Sequence, residues 1–209
     1  MTLRIEAFPG GPFETNTYLV ADLERGEALV VDAAQGTVEA VKAAAAGRGW
    51  QVGRIVITHS HWDHIVDAVA MKEALGAPLL TPVGAEEALA NPGSFFGGLD
   101  VEIPPVTPDQ AIGEGDEVAL GGHRFAVLHL PGHEPYHIAL HDAAAEVLLS
   151  GDVLFPNGHG RTDLPGSDQA TMNASLRRLR DLPEGTTVYP GHGAPTTIGT
   201  ERGWLADVP

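Results

Sequence analysis

The stretch His59-Ser60-His61-Trp62-Asp63-His64 places three imidazoles and a carboxylate within six consecutive residues. Neutral imidazole and carboxylate are the donors that zinc, non-haem iron and manganese take from proteins, so this density points to a metal site. The chain has no cysteine, which removes thiolate ligands, a cysteine nucleophile and disulfides. Any metal must sit on histidine and carboxylate. A group of ordinary surface histidines is the competing reading, and it loses ground if further donors occur at comparable places in the chain.

Such donors exist. Residues 52–58 carry an apolar, β-branched core suited to a buried strand, and from Asp63 to Leu75 apolar residues recur at helical spacing until Gly76. The cluster is therefore a strand-to-helix loop, in which His59 and His61 can point one way while Asp63 and His64 turn toward a neighbouring point. One loop can then serve two metals. Gly132-His133, Gly151-Asp152 and Gly191-His192-Gly193 each follow an apolar strand, where open sheets place ligands and where glycine lets the backbone approach an ion. His133-Glu134-Pro135-Tyr136-His137 also satisfies H-E-x-x-H, the helical zinc-protease signature. That chemistry needs both imidazoles on one helical face, whereas Pro131-Gly132 precedes the motif and Pro135 removes a backbone donor inside it.

The remaining elements must hold these loop ends together. Strands are expected over 3–8, 17–21 and 28–31, followed by a helix over 37–49 with Thr37 as N-cap. After the cluster and its helix come a strand over 77–80 and a helix around 84–90, a βαβα alternation. Residues 91–109 are rich in Gly and Pro and carry Phe95-Phe96-Gly97-Gly98, either a loop offering aromatics to a substrate or a plain packed connection. A hairpin follows over 117–120 and 124–130 around Gly121-Gly122, then strands over 138–141 and 147–150. A helix over 168–182, capped by Ser167 or Asp168, precedes a last strand over 187–189. Two strand-rich halves, each followed by helices and with no dividing linker, predict two sheets between helical layers in a single domain over 1–209.

At 209 residues with 43% apolar content the chain can bury a sizeable core. Twelve basic residues against 28 acidic ones give a formal net charge of −16, which disfavours a nonspecific grip on nucleic acid. The N-terminal residues lack the basic and apolar regions of a signal peptide, and no apolar run approaches the length of a membrane span. The expectation is a soluble cytoplasmic protein with a small-molecule substrate and neither nucleic-acid nor membrane partners.

T-H-x-H-x-D-H after a strand, then P-G-H, S-G-D and P-G-H-G in that order, resemble the metallo-β-lactamase superfamily, and within it the glyoxalase II-like hydrolases. The resemblance covers nearly the whole chain. It implies an α/β fold, a four-layer αββα sandwich with two mixed sheets between helices, and a dinuclear centre between the sheets. By motif match His59, His61 and His133 hold one metal, Asp63, His64 and His192 hold the other, and Asp152 bridges them. The implied cofactors are two divalent ions, zinc first and iron or manganese otherwise. A metal-bridging hydroxide would attack a thioester such as an S-acylglutathione, with Asp63 orienting it and Asp152 as the second catalytic carboxylate. Asp32 and His137 are candidates to support the metal-bound rings, since such imidazoles need an acceptor on the other nitrogen.

The chain departs from that branch in carrying Glu134 and Tyr136 where Thr and Gly are usual, which alters the pocket wall. Glyoxalase II proteins also extend into a C-terminal helical region that binds glutathione, while this sequence stops at Pro209, so a dedicated glutathione clamp is not expected. Gly160-Arg161-Thr162-Asp163 is shared with persulfide dioxygenases, which use a single iron on a set that would here be His59, His133 and Asp152. Arg161 is read as pinning its loop through Asp163 rather than touching substrate. The non-enzymatic alternative is a metal-binding domain without turnover. His123, His129, His141 and His159 are read as ordinary strand, turn or surface residues.

Overall fold

Side-chain alternation builds the first sheet. In the computed structural model, which describes residues 2–92 and 102–209, β1 (Leu3–Gly10), β2 (Thr15–Asp22) and β3 (Glu27–Val31) form an antiparallel meander. Along β2, Tyr18 and Val20 face one side while Leu19 and Ala21 face the other, as the period of two demands. α1 (Val38–Arg48) crosses to β4 (Gln51–Val56), which lies parallel to β3. α2 (Trp62–Ile65) and α3 (Ala68–Leu75) lead to β5 (Leu79–Pro82), and α4 (Glu86–Ala90) precedes β6 (Gln110–Ile112), each strand parallel to its predecessor in the sheet. The strand order is sequential, β1 to β6.

The second sheet is built from β7 (Glu117–Leu120), β8 (His123–His129), β9 (Ile138–Asp142) and β10 (Val147–Gly151), antiparallel in turn. A small ribbon, β11 (Leu154–Phe155) with β12 (Gly158–His159), comes before α5 (Gln169–Arg180). β13 (Thr187–Pro190) then pairs parallel to β10, β14 (Thr196–Thr197) closes the edge, and α6 (Ile198–Leu205) follows. Both sheets are mixed.

Three buried clusters correspond to the three interfaces of a four-layer αββα sandwich. Leu19, Val30, Ile55 and Ile57 pack under Val41, Met71 and Leu89 of the first helical layer. Val20, Leu29, Val31 and Val56 meet Phe125, Val127, Leu140 and Leu149 between the sheets. Leu148 and Val188 pack under Met172, Leu176, Ile198 and Leu205 of the second helical layer. Truncating a fully buried member such as Phe125 to alanine costs about 3–5 kcal/mol at such a site.

The structure corrects two expectations and narrows two others. The single helix over 63–75 is two helices: the Asp67 amide donates to Ala33 O and the Ala33 amide to His64 O, so the end of the β3 loop is inserted at the junction. Thr37 stands at the N-cap of α1 as expected, but its hydroxyl makes no capping bond: it donates to Ala34 O at 2.8 Å and meets Thr17 Oγ1 at 3.1 Å, tying down the loop after β3. β13 is not the last element, because β14 and α6 follow; the run Thr196-Thr197-Ile198-Gly199-Thr200 hides a helix start among residues of low helix propensity. Of the two expected caps of α5, Asp168 takes the role, accepting the Thr171 amide at 2.7 Å. The Phe95-Phe96-Gly97-Gly98 reading lies outside the described residues.

Candidate metal centre

All the candidate donors leave the same edge of the sandwich. Asp32 follows β3, His59 follows β4, Asp63 and His64 occupy α2, His133 and His137 lie between β8 and β9, Asp152 follows β10 and His192 follows β13. Backbone hydrogen bonds lash these loops together: the Ile138 amide donates to Thr58 O at 2.9 Å and that of Asn16 to Gly191 O at 2.7 Å across the two sheets, and that of Gly191 to Gly151 O at 2.9 Å within the second. The site is thus a seam between sheets, held by main chain.

The donors converge. Single ligand atoms from His59, His61 and His133 lie within 4.8 Å of one another, as do those of Asp63, His64 and His192, and those of His59, His64 and Asp152. Asp152 stands between the first two sets: its Oδ2 is 3.5 Å from His133 Nε2 and 3.4 Å from His192 Nε2, and its Oδ1 is 3.5 Å from His64 Nε2. Asp63 Oδ2 lies 3.5 Å from His64 Nε2 and 3.4 Å from His192 Nε2.

Second partners fix which nitrogen of each ring carries the proton. His64 Nδ1 lies 2.8 Å from Asp32 Oδ2, His133 Nδ1 2.8 Å from Arg161 O, and His192 Nδ1 3.0 Å from Phe13 O. Carboxylate and carbonyl oxygens only accept, so each Nδ1–H donates and Nε2 is the nitrogen that each ring turns toward the other donors. His59 is set by relay: Thr58 Oγ1 gives its proton to Asp32 Oδ2 at 2.9 Å, leaving a lone pair for His59 Nδ1–H at 3.0 Å. Among the described residues, the Nε2 atoms of His59, His64 and His133 and Asp152 Oδ1 are buried with no hydrogen-bond partner. Buried polar atoms aimed at one another go unsatisfied, a cost that a divalent cation at their meeting point removes. The residues therefore fit a metal centre.

Electrostatics follow the same division. Burial pushes His61 down to about 3 and holds His59 and His133 below the usual imidazole range, so these rings are neutral and ready to ligate. Around the other set the carboxylates prevail. Against the opposing effect of burial, Asp63, Asp32 and Asp152 lift His64 to about 9, and Asp152 and Asp63 lift His192 to about 11, so each of these rings carries a second proton at neutral pH, which a divalent ion would displace from Nε2. Burial also opposes ionisation of the acids, yet His64, His192 and the Thr15 hydroxyl hold Asp63 at about 2, and His64 with His192 and His133 holds Asp152 well below the carboxylate range.

His137 does not join the donor sets. It is buried, stacks on His59 with ring centroids 4.7 Å apart, and accepts the Asp152 amide on Nε2 at 3.0 Å. The Arg161 side chain pairs with Asp163 at 2.9 and 3.0 Å in solvent, while its carbonyl holds His133. His123 pairs with Asp142 away from the centre at 2.7 Å, and His159 packs against Trp204. Three positions that the sequence reading passed over serve the site. Thr15 Oγ1 donates to Asp63 Oδ2 at 2.7 Å, Asn16 Nδ2 donates to the carbonyls of Pro190 and Gly193 flanking His192, and exposed Phe13 covers Trp62. All three lie in or beside the first hairpin turn, where only the polar pair Thr15-Asn16 at the head of an otherwise apolar strand hinted at a role.

Residues 10–192 match the metallo-beta-lactamase superfamily. The chain is 32% identical to hydroxyacylglutathione hydrolase GloC of Haemophilus influenzae, over 96% of this chain and 95% of that protein. Its fold overlays the crystal structure of BLEG-1 B3 metallo-beta-lactamase with a TM-score of 0.86 at 32% identity, covering 95% of this chain and 96% of that one. TTHA1623, solved in a di-iron-bound form, overlays with a TM-score of 0.77 at 36% identity, covering 94% and 96% of the two chains.

Proposed function

We propose that this chain, which belongs to the metallo-β-lactamase superfamily, is a dinuclear metal-dependent hydrolase acting on a small acyl thioester. The observation that carries this reading is the convergence around Asp152 of the buried Nε2 atoms of His59, His64 and His133, none with a hydrogen-bond partner among the described residues. His59, His61 and His133 would hold one divalent ion, Asp63, His64 and His192 a second, and Asp152 would face both. When bound, such a pair of ions lowers the pKa of water to give a nucleophile at neutral pH and polarises an electrophilic carbonyl, so no side-chain nucleophile is needed.

The protein's own groups do the positioning. Thr15 donates to Asp63 Oδ2 at 2.7 Å and fixes its carboxylate at the centre. Asp63 therefore orients the attacking water by accepting its hydrogen bond. The neutral rings of His59, His61 and His133 contribute lone pairs without charge, so a divalent ion held there would keep its positive charge for a developing oxyanion. The match to a protein named for hydroxyacylglutathione hydrolysis supports a thioester; the match to a di-iron form leaves zinc, iron and manganese all as metals to test.

The test is metal content on protein purified without added metal, followed by turnover of acyl thioesters of glutathione and of N-acetylcysteamine. Two divalent ions per chain with thioesterase turnover, both lost in His61→Ala, is the expected result. One iron per chain with oxygen uptake on glutathione persulfide, or hydrolysis confined to a chromogenic cephalosporin, replaces it.

A further inference from the structure

Beside His61 the surface opens into a cavity of about 180 Å³ walled by Ala88, Tyr136, Leu164 and Pro165, with Glu134 among its lining. A volume near 150 Å³ accepts a benzene-sized group, so this space seats one compact arm of a molecule rather than a whole ligand. Its walls are fixed. The Tyr136 ring lies over Gly84, where φ is +91° and a Cβ would meet the ring carbons at 2.6 Å, so a glycine there is what lets the aromatic settle although it is 39% exposed.

The polar group in this apolar setting is Glu134, only 6% exposed. Ser60 Oγ donates to its Oε1 at 2.8 Å and the Tyr136 amide to its Oε2 at 2.6 Å, so both oxygens act as acceptors, as in a carboxylate. Both partners are neutral, and among the described residues no cation pairs with it. A carboxylate offers about four lone-pair positions, so acceptor capacity remains on each oxygen. A buried carboxylate hydrogen-bonded only to neutral donors is costly and favours a ligand that brings a further donor or a positive charge, while disfavouring a second carboxylate.

We propose that this cavity is the specificity subsite of the metal centre, taking a short apolar arm that ends in an ammonium or other hydrogen-bond donor and rejecting arms that end in a carboxylate. The proposal rests on the hydrolase reading for the identity of the scissile group, but the arm's selection belongs to Glu134 and Tyr136. Glutathione's glycyl arm ends in a carboxylate and its γ-glutamyl arm in an ammonium beside a carboxylate, so on this account both arms fit the pocket less well than a purely uncharged or cationic arm, and the natural substrate is a thioester carrying such an arm.

The experiment uses three thioethers of N-acetylcysteamine, with S-pentyl, S-(5-aminopentyl) and S-(4-carboxybutyl) arms, titrated calorimetrically into the metal-loaded protein while the amide signals of Tyr136 and Gly166 are followed. The aminopentyl arm should bind at least about tenfold tighter than the carboxybutyl arm, with shifts at both amides. Glu134→Gln should collapse that ratio, and Tyr136→Ala should weaken all three arms. Equal affinity for the charged arms in the wild type, or a ratio untouched by Glu134→Gln, overturns the proposal, and a uniform loss with Glu134→Gln shows Glu134 to be only a clamp between two loops. Thioethers cannot be hydrolysed, so selective binding by a protein inert toward every thioester sinks the hydrolase reading alone, and turnover without selectivity sinks the subsite alone.

Discussion

Asp32 Oδ2 accepts the Nδ1–H of His64 at 2.8 Å beneath the candidate metal centre, and the same oxygen takes the Thr58 hydroxyl that orients His59. One carboxylate thus aims rings from both donor sets. Asp32 sits at φ +60°, a left-handed backbone that aspartate and asparagine tolerate better than most residues. Asp32→Asn should keep this turn but present an amide N–H toward His64 Nδ1, breaking the acceptor role. Loss of such a supporting acceptor typically weakens metal binding about 10–100-fold. Metal content after equilibration with graded chelator should show that loss; wild-type retention would refute the orienting role.

Removing the metals should destabilise the fold, since the unpartnered Nε2 atoms of His59, His64 and His133 belong to loops from both sheets. Binding to the folded state alone stabilises by about 4 kcal/mol at a free concentration a thousandfold above Kd. Scanning calorimetry with and without excess chelator should give a clearly lower melting temperature for the stripped protein, recovered on adding back zinc, iron or manganese. Identical melting curves would mean that the cluster does not hold a metal in the folded state.

Gly191→Ala should damage the centre more than the fold. A Cβ there would overlap Asp152 Oδ1 and come within 2.8 Å of His64 Cε1, so Asp152 must move away from the imidazoles it faces. The expected outcome is a folded protein, by far-ultraviolet circular dichroism, that binds less than one equivalent of metal under conditions that saturate the wild type. Full loading would show that the loop after β13 can yield.

The layout of the sandwich was legible because each candidate donor except Asp63 and His64 follows a strand with β-branched or aliphatic alternation, and strand ends are where such sheets expose ligands. Residues 63–75 read as one helix because periodicity reports which face is apolar, not that Ala33 will hydrogen-bond at residues 64 and 67. β6, β14 and α6 escaped for a related reason: two to three residues of strand carry no period, and the Thr-Gly run at the start of α6 carries little helix propensity. Thr15 and Asn16 were invisible as site residues because their partners, Asp63 and the carbonyls around His192, lie 48 and more than 170 positions away.

Thr15→Val isolates one of those long-range contacts. Valine is nearly isosteric, so the buried strand position stays filled while the 2.7 Å hydrogen bond to Asp63 Oδ2 disappears. A hydrogen bond to a charged group contributes about 1.5–3 kcal/mol. The variant should therefore lose stability within that range and bind the ion at Asp63, His64 and His192 more weakly than the ion at His59, His61 and His133. Stepwise metal titration followed by calorimetry measures both, and equal weakening of the two steps would place the effect elsewhere.

At the end of the sandwich away from the metal centre, Asp22 closes the two sheets with a buried carboxylate. Its Oδ2 accepts the Gly122 amide of the β7–β8 turn at 2.8 Å, and its Oδ1 accepts the amides of Glu24 and Arg25 at 2.9 and 3.2 Å. The Gly122 bond, opposed by burial and helped by Glu24 and Arg25, holds the carboxyl down at about 2. A depressed folded-state pKa adds stability that is complete above the ordinary aspartate range, near ~4, and that drains away as pH falls. For Asp22 that loss continues down through about 2. Asp22→Asn should therefore cost about 1–2 kcal/mol at neutral pH, and its deficit against the wild type should shrink as both are unfolded in urea at successively lower pH. A deficit that stays constant down to the acid limit would assign the effect of Asn to packing and not to the carboxylate.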